Sequence, residues 1–240
     1  MTITIRRNPN DRLVELGGGE QPLVVPSCLG GNDINVDLRL CYNPQGQATV
    51  DFTCDFNEPL PIRSGEFDGA ISVFCLEHIS WRKTKSFLGE VFRIIKAGGR
   101  VVIVTANTEA QVQWIKDHPN GWDNNNAFDS FSGVLFGDQN YAGNFHSCYF
   151  SPVILTELFQ QVGFERILIR PYGARDTDLC VEAIKPEIIS GLLSKAIENS
   201  ITVSDNCCGE IGPMGVVCVL EKGHSGKHKG EKGILRDKRV

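Results

Sequence analysis

Phe67-Asp68-Gly69-Ala70-Ile71-Ser72-Val73 runs straight into Phe74-Cys75-Leu76-Glu77-His78. After a polar break come an amphipathic stretch from Lys83 to Lys96, the pair Gly98-Gly99, and Arg100-Val101-Val102-Ile103-Val104-Thr105. Leu88, Val91, Phe92 and Ile95 share one face at 3.6-residue spacing, so Lys83 to Lys96 reads as a helix with Gly98 as its C-terminal stop. The segment Arg100 to Thr105 is nearly all apolar, as a strand buried on both faces should be. Strand, helix and strand in that order form the repeating unit of an open α/β sheet.

Working toward the N-terminus, an apolar run over residues 12–16 ends in Glu15-Leu16-Gly17-Gly18-Gly19. A second strand pattern ends in Asn35-Val36-Asp37, and a third leads to Cys54-Asp55-Phe56. Most of these strands deliver a glycine, an acid or a sharp turn at the carboxyl end, where an open α/β sheet builds a nucleotide-type site. Glycines there let the backbone approach a ligand, and Asp37 is placed to accept from two ribose hydroxyls. A dinucleotide-dependent dehydrogenase would need a full G-x-G-x-x-G opening a helix; here Gly17 to Pro22 ends in proline. Pro22, Pro26, Gly30 and Gly31, then Pro44 and Gly46, leave little room for helices in the first two crossovers.

Toward the C-terminus, Ala110 to His118 reads as a short helix. Residues 119–150 are rich in Asn, Gly and Asp, with Trp122, Phe128, Phe131, Phe136, Tyr141, Phe145 and Tyr149 among them, and read as an aromatic lid with little periodicity. Ser151-Pro152 starts a helix whose buried face is Leu155, Leu158, Phe159 and Val162, and Gly163 ends it. Two strands, Glu165 to Arg170 and Leu179 to Ile184, form a closing antiparallel pair. A helix over 186–199 leads out, and a boundary is expected near Ser200, giving domains 1–199 and 200–240.

The 240 residues are 41% hydrophobic and 22% charged with net charge −5, which is ordinary for a globular protein and argues against nucleic-acid binding by the whole chain. No apolar run approaches the roughly 20 residues of a membrane span, and the polar start is no secretory signal, so a cytoplasmic location is expected. Of the nine cysteines, Cys28, Cys41, Cys54, Cys75, Cys148 and Cys180 read as small buried hydrophobes. Cys207, Cys208 and Cys218 differ, because His224 and His228 follow them closely. Cys208, Cys218, His224 and His228 make a four-ligand set suited to structural Zn²⁺, with Cys207 as the alternate thiolate. Around them Lys and Arg dominate from Lys222 onward, a basic tail able to touch nucleic acid.

The ordered stretches ELGGGEQP, NVDL, DFNEPLP, FDGAISVFCLEHI and EVFRIIKAGGRVVI resemble the class I S-adenosylmethionine-dependent methyltransferases, especially their type 11 branch, over about residues 12–184. The resemblance implies a Rossmann-like seven-stranded sheet, mostly parallel with an antiparallel last strand, here followed by the small zinc module. It also implies that Glu15, Gly17 and Gly19 cradle the methionine end of the cofactor, that Asp37 holds the ribose, and that Asp55 accepts from the adenine amino group beside Phe56. Cys75 would offer backbone to the methionine portion. The third glycine of the fuller pattern is missing, since Glu20 and Gln21 follow Gly19. Methyl transfer needs mainly a positioned nucleophile. Where a base is needed, His146 and His78 are the candidates, with Tyr141 as a further acceptor contact. The acceptor class expected from the resemblance is a small molecule or glycan, methylated on O or N. The competing reading is a nucleic-acid or protein-binding adaptor built on a degenerate methyltransferase fold.

Overall fold

In the computed structural model, residues 7–121 and 127–187 are described, together with the backbone of 228–230 and 233–236. The chain divides into two compact units, Met1–Glu187 and Ile188–Val240; the expected boundary near Ser200 lies outside the described residues.

The apolar runs of the first unit become β1 (Leu13–Leu16), β2 (Ile34–Asp37), β3 (Phe52–Thr53), β4 (Phe67–Val73), β5 (Ile95–Ala106), β6 (Glu165–Tyr172) and β7 (Asp178–Ile184). They form one sheet in the order β3-β2-β1-β4-β5-β7-β6. β1 to β5 pair in parallel, and β7 lies antiparallel to both β5 and β6. Strand order reverses between β1 and β4, which opens a crevice at their carboxyl ends.

Among the described residues four α-helices accompany the sheet: α1 (Thr84–Ile94), α2 (Thr108–Asp117), α3 (Ala127–Phe136) and α4 (Pro152–Val162). The main core lies where Phe87, Leu88 and Val91 of α1 and Leu155 and Phe159 of α4 pack on Val14, Val101, Ile103 and Val181. Ser151 caps α4 by accepting from the Ile154 N–H, and Gly163 closes it at φ 108°. α2 begins at Thr108, before the expected Ala110, because the Asn107 side chain accepts from the Ala110 N–H.

Gly98 does not stop α1. The helix ends at Ile94, and Ile95 is already extended and fully buried in β5. Pairing jumps from Phe67↔Ile95 to Gly69↔Arg100, so residues 96–99 form a bulge, with Gly98 at φ 76°.

Among the described residues, the three connections from β1 to β4 hold no α-helix; one turn of 3₁₀ helix, Ser27–Leu29, is all the first contains. Carboxylates bind the backbone there instead. Asp33 accepts from the Leu13 N–H at 2.9 Å, and Asp51 accepts from Ser27 Oγ, Cys28 N and Asn35 N at 2.5, 2.7 and 2.8 Å. Cys41 and Cys180 are buried and Cys54, Cys75 and Cys148 partly so, but Cys28 is exposed, contrary to expectation, because it sits on that helix-poor edge.

In the second unit, β8 (His228–Gly230) pairs antiparallel with β9 (Gly233–Arg236). His228 opens β8; Cys207, Cys208, Cys218 and His224, and the expected helix from 188 onward, lie outside the described residues. Among the described residues no helix is long and apolar enough to cross a membrane.

Candidate active site

The crevice is shaped first by Gly17. Its φ of 87° belongs to the left-handed region, and its N–H donates to the Val36 carbonyl at 2.7 Å. A Cβ at Gly17 would lie 2.8 Å from Cys75 Cβ and 2.9 Å from its Sγ, so only glycine lets the β1 turn lie against the end of β4. Gly18 N–H donates to Asn35 Oδ1 and Gly19 N–H to Asp37 Oδ2, each at 3.1 Å, which ties the turn to β2.

Gly17, Asp37, Asp55, Phe56 and Cys75 line one cavity of about 160 Å³, together with His78 and Tyr141. Asp37 ends β2, and its Oδ1 also accepts from the Arg39 N–H. Asp55 uses Oδ1 on Asn57 N and Nδ2, both at 2.9 Å, which fixes the turn and leaves Oδ2 without a partner in that network. Phe56 is mostly core, its ring 5.4 Å from that of Phe87, with one edge on the cavity. Burial pushes the Cys75 thiol far up, so it is an un-ionised wall.

Glu15 and Gly19 are not among the lining residues. The Glu15 carboxylate is buried and turned beneath the following loop, accepting from the Leu23 and Val24 N–H groups at 2.6 and 3.1 Å. Burial raises its pKa to about 7 against the lowering effect of those two bonds.

A second cavity of about 360 Å³ shares Phe74, His78 and Tyr141 with the first and adds Glu77, Asp138, His146 and Asp178. Phe74, which lines both, holds φ 51°, a left-handed conformation uncommon for a bulky residue. No sequence signal pointed to it.

The stretch 119–150 supplies the outer wall. Within it α3 is regular helix, contrary to the expectation of little periodicity, and its backbone carries His146 through the N–H bond to the Phe136 carbonyl at 3.0 Å. Tyr141, Gly143 and Phe145 line the first cavity, whereas Phe128 is exposed and Phe131 packs on Trp114; Trp122 is outside the described residues. The Arg39 guanidinium lies 3.9 Å from the Tyr141 ring centroid, joining the β2 edge to this wall.

The two candidate histidines meet, with ring centroids 5.2 Å apart. His78 Nδ1 hydrogen-bonds the Phe145 carbonyl at 3.1 Å, which leaves Nε2 free. Burial holds both imidazoles below the ordinary histidine value, and for His146 the neighbouring His78 adds to it. Sequence reasoning missed Glu77 and Asp178. Glu77 is buried, with Oε2 accepting from Thr105 Oγ1 at 2.8 Å, and burial raises its pKa to about 7; burial likewise raises Asp178 to about 6. The one available signal for Glu77 was its place in the strand-ending Leu76-Glu77-His78.

A strand order of 3-2-1-4-5-7-6, a glycine turn at the switch point and acids ending β2 and following β3 define a Rossmann-like methyltransferase architecture. Residues 31–103 match the family profile described as a methyltransferase domain. Among solved structures, the chain is similar to a SAM-dependent methyltransferase from Methanosarcina mazei, with 15% identity over 75% of this chain and 95% of that one and a TM-score of 0.51. A SAM-dependent methyltransferase from Thermotoga maritima shares 18% identity over 74% and 84% of the two chains, with a TM-score of 0.48. Phosphoethanolamine N-methyltransferase 2 from Haemonchus contortus shares 13% identity over 76% of this chain but 50% of that one, at 0.48. No curated protein sequence matches the chain. The matched segment is a methyltransferase domain by its profile, and the chain shares the fold of a solved methyltransferase.

Proposed function

We propose that the chain transfers a methyl group from S-adenosylmethionine to an oxygen or nitrogen of a small-molecule or glycan acceptor. The observation that carries this is the convergence of Gly17, Asp37, Asp55, Phe56 and Cys75 on one cavity that shares three lining residues with a second, rich in polar groups.

The residues fit the cofactor chemically. The Gly17 turn leaves room that a Cβ would fill, Asp37 and Asp55 offer carboxylate oxygens to a diol and an amino group, and Phe56 and Leu38 present apolar edges to a purine. Bound there, S-adenosylmethionine supplies an electrophilic methyl for in-line displacement, so the protein's task is alignment and exclusion of water. Phe74, His78 and Tyr141 line both cavities. His78, His146 and Tyr141 face an acceptor in the second cavity and orient its hydroxyl or amine by hydrogen bonds. The Cys208, Cys218, His224 and His228 set is proposed as a structural zinc site, and the basic tail as a nucleic-acid contact secondary to the small-molecule site.

Calorimetric titration with S-adenosylmethionine and S-adenosylhomocysteine tests the reading. Micromolar binding is expected, weakened about 10- to 100-fold in Asp37→Ala, the loss of hydrogen bonds to a charged group. Failure of the folded wild-type chain to bind either ligand would remove the enzyme reading and leave the adaptor.

A further inference from the structure

The second cavity holds a cluster that methyl transfer by itself does not require. Glu77, His78 and His146 each present a ligand atom, and these atoms all lie within 4.8 Å of one another. We infer that Glu77, His78 and His146 bind one divalent first-row cation, with a coordination position left open toward the acceptor cavity.

The donor set is that of a metal centre. Two imidazoles and one carboxylate suit Zn²⁺ and Fe²⁺, and three protein ligands with an open fourth position are the catalytic rather than the structural arrangement. Ligand atoms around a tetrahedral ion at about 2.0–2.2 Å stand roughly 3.3–3.6 Å apart, so side-chain rotations on the order of an ångström close the set.

Each ligand is also held from outside. His78 Nδ1 is tied to the Phe145 carbonyl, which turns the free Nε2 away from the backbone. The His146 ring interacts with the backbone of Val134 and Leu135 in the last turn of α3. Glu77 accepts from Thr105 Oγ1 at the end of β5, and its own carbonyl accepts from the Ser147 N–H at 2.7 Å, locking the β4 turn to the segment that carries His146. Outer partners of this kind orient metal ligands and fix their tautomers. The field has the right sign: Asp138 and Asp178 line the same cavity, and no Lys or Arg is among its described lining residues.

A cation here would favour a hydroxyl acceptor over an amine. An oxygen coordinated at the open position loses its proton to water more readily, and the resulting oxyanion is the nucleophile that takes the methyl group. In that state the imidazole lone pairs serve the ion and are not general bases. The use of the ion rests on the methyltransferase reading; its binding does not.

Co²⁺ is the probe, added to the full chain carrying Cys207→Ser, Cys208→Ser and Cys218→Ser so that tail thiolates do not compete. Calorimetry and visible absorption should report one saturable equivalent with no sulfur-to-cobalt charge-transfer band. His146→Ala and His78→Ala should each weaken it at least about tenfold, the loss that even outer-shell changes produce. Paramagnetic shifts on two histidine rings of the chain with its ligands intact give a readout independent of whether those variants fold. Absence of saturable cobalt binding, or binding indifferent to both histidines, overturns the inference. S-adenosylhomocysteine binding on the same samples separates the two ideas. Binding of it without cobalt overturns the metal site alone, and cobalt binding without it upholds the metal site and removes the methyltransferase reading.

Discussion

Replacing Gly17 by alanine should disable the site by two separable routes. At φ 87° an L-residue pays about 1–2 kcal/mol for the left-handed conformation. The new Cβ would also lie 2.8 Å from Cys75 Cβ and 2.9 Å from Cys75 Sγ, with Phe56 Cε2 at 4.0 Å on the other side. Cys75 Sγ can swing away about χ1, but Cys75 Cβ is fixed to the backbone that follows Phe74 at φ 51° and has no torsion to escape through. Overpacking of that kind costs about 1–3 kcal/mol. The combined loss of about 3 kcal/mol should lower Tm by roughly 6–12 °C in a unit of this size. Because Gly17 lines the cavity, S-adenosylhomocysteine binding should weaken at least about tenfold, about 1.4 kcal/mol. Differential scanning calorimetry and titration calorimetry read the two effects. In the double variant Gly17→Ala with Cys75→Gly the steric part should return and the φ part should not, so the cycle yields a coupling on the order of 1–2 kcal/mol. If Gly17→Ala melts with the wild type and binds as tightly, the cradle argument is wrong.

Three further outcomes follow from other parts of the structure. Glu15 has its folded pKa raised to about 7 from an ordinary 4.5, so its contribution is complete below about 4.5 and is lost as pH rises toward and through 7. Wild type should therefore lose on the order of 3 kcal/mol relative to Glu15→Gln between those limits, and parallel stability–pH curves for the two proteins would refute the assignment. Arg39→Ala, which removes the cation–π contact to Tyr141, should weaken S-adenosylhomocysteine about two- to fivefold with little change in Tm; unchanged affinity by calorimetry would show that this contact does not help to hold the wall. The full chain should retain zinc through dialysis against EDTA and release it when its thiols are blocked, and Cys208→Ser with Cys218→Ser should abolish retention; a zinc-free chain by elemental analysis would dismiss that module.

How much could be read from the sequence depended on how local each signal was. β5 announced itself because Val101 to Val104 are buried on both faces, and α4 because Ser151, Pro152 and Gly163 set its ends within one turn of the residues they cap. Gly17, Asp37, Asp55, Phe56 and Cys75 were legible because each sits at or near a strand's carboxyl end, where strand order brings them together. α3 was hidden, since it is partly exposed, contains Gly133 and places Phe128 in solvent, which blurs its period. The ligand triad was half hidden for another reason. His146 is far along the chain from Glu77 and His78, and the bonds from Ser147 N to the Glu77 carbonyl and from His78 Nδ1 to the Phe145 carbonyl bring them together.

Glu15 shows how tertiary context decides a role that a motif cannot. In the resemblance its carboxylate serves the cofactor; here it holds the Leu23 and Val24 N–H groups. The physical cause is the missing crossover helix. A helix would satisfy its own backbone donors, whereas the loop over 20–26 cannot, and a buried unpaired N–H costs about 1–3 kcal/mol. Glu15 provides the acceptor for Leu23 and Val24 instead, and Asp51 does so for Cys28 just beyond. That solution leaves the β2 edge of the cavity without helical cover, and the 137–146 segment supplies it from the other side. Leu38 and Arg39 meet Gly143 and Tyr141 across the opening, where a Cβ on Gly143 would come 3.0 Å from Leu38 Cδ2. The side of the site that other α/β folds close with a crossover helix is therefore closed here by a segment that also carries His146. On the proposed function, ligand capture at Asp37 and acceptor positioning at His146 are coupled through one stretch of chain, and a change at Arg39 should be felt at both.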